Sequence, residues 1–176
     1  MPTPGPSPRS ALRPRRAARL AALPVATLAG LALAAATAVP AVAVPVGPPP
    51  PPDPLALHVL HETNVARAAA GCAPLELALP LVAAAERHSD EMAARGAMTH
   101  TGADGSTPRT RLLAQGVSPR RTAENVAFGY AADQVVDAWL ASDGHRRNVL
   151  DCRLTQVGIA ETPGRAGSYW TQVFAG

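Results

Sequence analysis

Two cysteines, five histidines and a serine three positions before a histidine are the residues of this 176-residue chain whose types suggest chemistry. An isolated cysteine pair, Cys72 and Cys152, in a chain with an export-type N-terminus is more often a disulfide than a metal or redox site. A bond between them would join the early and late parts of the fold; loop entropy sets its contribution at about 4.5 kcal/mol as an upper figure. A free reactive thiol is the minor alternative. Ser142 precedes His145, but no G-x-S-x-G elbow accompanies it, so a serine nucleophile is unsupported. His88 recurs with Leu81, Ala85 and Met92 at helical spacing and reads as a core histidine. His58 and His61 read as surface or helix-packing residues.

The elements that must position these groups follow from periodicity and punctuation. Residues 55–70 form a helix with Leu57, Leu60 and Asn64 on one face and Gly71 as its stop. A second helix covers 79–95 and ends at Gly96. The polar loop GAMTHTGADGS then carries His100. Thr107-Pro108 opens a short helix to Gln115, with proline at the first helical position. Residues 122–129 read as a strand and 133–142 as a helix that Asp143-Gly144 breaks, with one further turn at 146–150. Strands at 154–160 and 169–174 are joined by TPGRAGS, a hairpin-type connection. Helices early and between strands, with a hairpin at the end, imply an α+β layered fold. Trp139 and Trp170 belong in its core, since aromatics are only 3% of the chain.

Charge and composition place the rest. All 16 basic residues are arginine, five of them within residues 1–43, where no acid occurs. Without that segment the net charge of +3 becomes −2, which removes the basic footprint that nucleic-acid binding requires. Arg13 to Arg19, an apolar run from Leu20 to Val39, and Ala41-Val42-Ala43 make a secretory signal peptide, residues 1–43. The run could span a bilayer, but Pro24, Pro40 and the Ala-x-Ala pattern favour cleavage over a retained anchor. Residues 44–54 are a proline-rich linker, read as a polyproline spacer. One domain, residues 55–176, remains, and no internal repeat is found in it.

The ordered motifs of that domain resemble a known family. Asn64, Arg67 and Gly71 form N-x-x-R-x-x-x-G, followed by Pro74-Leu75 and by Asp90-Glu91-Met92. His100, then Glu124-Asn125-Val126-Ala127, then Gly144-His145-Arg146-Arg147-Asn148, and finally Tyr169-Trp170-Thr171-Gln172 complete the series. In this order and spacing they resemble the bacterial branch of the CAP superfamily, relatives of cysteine-rich secretory proteins, insect venom allergens and plant pathogenesis-related proteins. The resemblance implies an α-β-α sandwich and a cleft with two histidines and two acids. His100, Glu124 and His145 match three of the four; the second acid falls near Ser142, which is not acidic, and Asp143 beside it need not face the cleft.

Two imidazoles and a carboxylate suit a weak divalent metal site, with zinc as the candidate ion and room for water. They equally suit a general acid/base pair with an orienting carboxylate, or a hydrogen-bond network that only fixes loops. The three lie 24 and 21 positions apart, with no local metal spacing. Asn64 and Arg67 read as anchors to nearby backbone. The resulting expectation is a monomeric extracellular or cell-envelope binding module, more an interaction domain than an enzyme. Its partner would be an extracellular ligand such as an envelope component; nucleic acid and a lasting membrane span are not expected. Two alternatives stand beside it: a peptidase-like hydrolase using His100, Glu124 and His145, and a lipid or sterol binder. The latter is weakened by the lack of an obvious apolar patch with aromatic anchors.

Overall fold

A computed structural model of the chain describes residues 51–176. Residues 1–43, expected to be a signal peptide, and residues 44–50 of the expected linker lie outside the described residues. Helix α1 (Pro54–Ala69) starts where the Asp53 side chain accepts the Leu55 N–H, an N-cap ahead of a first-turn proline. Strand β1 (Glu76–Leu77) and helix α2 (Leu79–Arg95) follow, and Gly96 ends α2 in the left-handed conformation that favours glycine. Helix α3 (Pro108–Ala114) is started by a reciprocal capping box between Thr107 and Thr110. Then come β2 (Thr122–Phe128), α4 (Ala132–Ala141), α5 (Asp143–Val149), β3 (Gln156–Pro163) and β4 (Ser168–Ala175).

The strands form one sheet in the order β1-β3-β4-β2, antiparallel except for the short β1–β3 pair. Side-chain alternation along β3 and β4 feeds two cores, one on each face. Val157, Ile159, Trp170 and Phe174 pack with Val59 of α1, Val135 and Trp139 of α4, and Val149 of α5. Ala160, Val173 and Ala175 on the other face pack with Leu81, Ala84 and Ala85 of α2 and Leu112 of α3. The architecture is the expected α-β-α sandwich. Helix α2 lies so close to the sheet that a Cβ at Gly158 would overlap the Leu81 backbone. Glycine there is a packing requirement.

Three local expectations are corrected. The inward face of α1 is Ala56, Val59, Thr63 and Arg67, while Leu57 is 43% exposed. Two buried polar residues disguised that face, and both are satisfied: Thr63 accepts from Gln172, and Arg67 donates to backbone carbonyls. Asp143-Gly144 does not break a helix but begins one. The chain turns at Ser142, whose carbonyl accepts the Arg146 N–H, and an aspartate in the first turn favours the helix dipole. Strand β1 was not anticipated, because two residues carry no period; it is held by Glu76 N–H to Thr155 O and Ala78 N–H to Val157 O.

Cys72 and Cys152 form a disulfide, with their Cα atoms 4.9 Å apart, tying the end of α1 to the turn after α5. Reducing it, or replacing both cysteines by alanine, lowers the unfolding free energy by about 2–4 kcal/mol. Urea unfolding with and without reductant measures this; coincident midpoints would refute it.

Candidate functional site

The site forms along β2, the edge strand where the two helical layers meet. Glu124 projects from β2 toward the α2/α3 side and is buried. Its Oε1 accepts the His100 Nδ1–H at 2.9 Å, and its Oε2 accepts a guanidinium hydrogen of Arg111 at 2.6 Å. Arg111, on α3, is itself buried, so the pair forms away from water. The same guanidinium donates to the carbonyls of His100 (3.2 Å) and Ser106 (3.1 Å), fixing the loop that carries His100. Arg111 was missed in the sequence. A signal existed, since a buried carboxylate requires a cation and Leu112 beside Arg111 marks an inward-facing turn.

His145 reaches the same edge from α5, on the opposite layer. Its ring lies 6.5 Å from that of His100, centroid to centroid, with the planes inclined at 52°. Burial, and secondarily the neighbouring His100, lower its pKa below the ordinary histidine value of 6.5. His100 is about half exposed. With Nδ1 committed to Glu124, Nε2 is the ring nitrogen left for other partners. Ser142 stands at the α4–α5 turn and lines a groove with His145 rather than bonding to it. Asp143 is exposed and pairs with Arg146 at 2.7 Å. Among the described residues no three His, Cys, Asp or Glu side chains form a ready metal-binding cluster.

His88 is the core histidine expected from its helical face. Its Nε2–H donates to the Thr99 carbonyl at 2.7 Å, so α2 also holds the loop before His100. Burial depresses its pKa, against an opposing pull from Glu124, whose Oε1 lies 3.9 Å away. Behind the site runs a chain of amides. Asn148 donates to the Glu124 carbonyl and to Asn125 Oδ1; Asn125 donates to Gln172; Gln172 donates to Thr63. Together they bind α5, β2, β4 and α1 to one another. Asn148 and the Trp139 indole, which donates to Val126 O at 3.2 Å, also occupy carbonyls on the open side of β2. An edge so covered offers little to a pairing strand.

Next to His145 lies a groove of about 340 Å³ walled by Val126, Phe128, Tyr130 and Trp139, with Ser142 and His145 at one end. The expectation that no apolar patch with aromatic anchors exists is thereby corrected. Phe128 is 37%, Tyr130 43% and Met98 52% exposed around it. These residues are scattered over 32 positions of sequence, and only the fold collects them.

Comparison with known proteins is consistent across sequence and structure. Residues 60–174 match the model of the cysteine-rich secretory protein family, CAP. The protein YkwD of Bacillus subtilis (strain 168) is 32% identical over 119 residues, 67% of this chain and 46% of that protein. The membrane protein YlbC of the same organism is 32% identical over 117 residues, 66% of this chain and 33% of that protein. The chain therefore spans less than half the length of these curated relatives. Among solved structures, an outer surface protein of Borrelia burgdorferi has TM-score 0.63 at 23% identity, covering 66% of this chain and 88% of that one. An extracellular protein with an SCP domain from Bacillus anthracis also has TM-score 0.63 at 23% identity, covering 72% of this chain and 45% of that one. Among the described residues no helix is long and apolar enough to cross a membrane.

Proposed function

Because the chain belongs to the cysteine-rich secretory protein family, CAP, we propose that it is an exported binding module whose His100 and His145 hold a divalent cation weakly. Residues 1–43 would direct export, with the mature chain starting near Val44 and accumulating outside the cell or in its envelope. The disulfide supports that reading, since such bonds persist in oxidising compartments.

One observation carries the metal reading: the hydrogen bond from His100 Nδ1–H to Glu124. A carboxylate that holds one ring nitrogen orients the other as a ligand, the usual outer partner of a metal-bound histidine. Glu124 is thus a positioning residue and not one of the ligands, because Arg111 occupies its second oxygen. Zinc sits about 2 Å from an imidazole nitrogen, so two rings sharing an ion lie about 5–6 Å apart at their centroids. The observed centroid distance is 6.5 Å, so rotation of the two side chains would have to bring the rings about 1 Å closer. Two protein ligands, with water completing the shell, hold an ion loosely.

A hydrolase reading is less well supported. Glu124 has both oxygens taken, by His100 and Arg111, so it orients a histidine and does not face a substrate. Among the described residues no hydroxyl or thiol hydrogen-bonds to either imidazole that could act as a nucleophile.

Calorimetric titration with zinc at neutral pH tests the proposal. Wild type gives saturable heat, and the His100→Ala/His145→Ala double variant gives none, or binding at least about tenfold weaker. Protonated imidazole cannot coordinate. Because the His145 pKa lies below 6.5, its neutral form persists through that pH, and its part in binding fails only in more acid solution. Equal heats from the two proteins would leave the cleft as a hydrogen-bond network alone.

A further inference from the structure

The groove beside His145 continues past it. Met98 and Phe128 belong to its wall and also to that of a second groove, of about 480 Å³, between the last turn of α2 and the β3–β4 hairpin tip. The floor of the second groove is Phe128 packed against Tyr169, with ring centroids 4.6 Å apart. Arg95 from α2 and Arg165 from the hairpin contribute guanidinium groups to its lining. Neither groove is lined by an aspartate or glutamate. Arg95 is paired with Glu91 at 3.2 Å, whereas Arg165 makes no ion pair among the described residues.

We propose that the two grooves form one site for an extended peptide, with an apolar side chain against the exposed rings of Phe128 and Tyr130 and a carboxylate at Arg165. Three features select this occupant. Two lobes separated by a shared wall require a ligand that reaches both, and an extended chain sends alternate side chains to one face about 6.5–7 Å apart. A cationic lining without acids complements a carboxylate, which a guanidinium can receive through two hydrogen bonds. Of the large apolar side chains in the lining only Met98, Phe128 and Tyr130 are exposed, by a third to a half, which is little surface on which to bury a long lipid acyl chain. A peptide, whose backbone remains hydrated, tolerates such an open groove. The inference rests on the reading of the chain as a binding module and is independent of any metal at His100 and His145.

The probes are fluorescein-labelled Gly-Leu-Gly-Glu-Gly and two longer versions with two or three glycines between Leu and Glu. Each is followed by anisotropy on the purified oxidised protein in EDTA, so a failed metal site cannot mimic a failed peptide site. At least one peptide should saturate at or below about 1 mM. Its Glu→Gln version should bind about three- to tenfold more weakly, the range of an exposed charge pair. Arg165→Gln should weaken the acidic peptide by the same factor and leave the Gln peptide unchanged, while Phe128→Ser weakens both. No saturation by any peptide at about 1 mM, or equal binding by wild type and Arg165→Gln, overturns the proposal. Oleate binding that depends on Phe128, without peptide binding, would assign the groove to a lipid and overturn it as well.

Discussion

Replacing Arg67 by methionine should cost about 4 kcal/mol or more of unfolding free energy, a large fraction of what a small domain possesses. The guanidinium is fully buried and faces four backbone carbonyls. Nε donates to Ala73 O at 3.0 Å, one Nη to Val149 O at 2.8 Å and Asp151 O at 3.1 Å, and the other to Leu154 O at 2.9 Å. Methionine keeps the volume and removes all four donors. Each buried carbonyl left without a partner then costs about 1–3 kcal/mol. Burial lowers the Arg67 pKa, with Asp151 opposing, so the charge is itself costly, and the four acceptors are what offset it. Lysine is no substitute, since a compact ammonium lacks the planar fork that reaches carbonyls on several sides. Urea unfolding followed by circular dichroism gives the number; a variant within about 1 kcal/mol of wild type would show that the carbonyls find water.

The second large effect is at Arg111. Arg111→Met strips Glu124 of the cation on its Oε2 and leaves a carboxylate in a buried position. Removing one partner of a buried pair costs about 3–5 kcal/mol, whereas replacing both by apolar residues of similar volume is often close to neutral. The single variant should therefore be less stable than Arg111→Met/Glu124→Met. That order of stabilities is the distinguishing result, because simple loss of contacts would make the double variant the worse one. The same single substitution frees the His100 carbonyl, so the loop before α3 should lose amide-exchange protection as well.

What could be read from the chain was local. Gly96 and Thr107-Pro108 announced helix ends that the structure keeps, because a left-handed stop and a proline first turn are properties of a few adjacent residues. The identity of His100, Glu124 and His145 as a set came from their order alongside a family's motifs, since nothing local links residues 24 and 21 positions apart. What escaped was decided by tertiary partners. The face of α1 is carried by Thr63 and Arg67, whose burial depends on acceptors and donors up to 109 positions away. Arg111 looked like any surface arginine until Glu124 was found opposite it. The Asp143-Gly144 pair reads as a breaker by composition, yet it lies in a first helical turn, where N–H groups lack intrahelical partners in any case and glycine costs little.

The sheet order β1-β3-β4-β2 also has a consequence in time. Among the described residues the two central strands follow every other element in sequence, and β2 and β1 each pair with one of them. A ribosome that has finished α5 has made, among the described residues, five helices and no strand pair. Both cores therefore wait for the closing hairpin, and the bonds from Arg67 to the turn after α5 wait with them. A chain that stops before β3 has, among the described residues, no strand pairing against which its helices could pack. On the proposed export route, sheet formation and closure of the Cys72–Cys152 bond would then fall together, after β4 has been made.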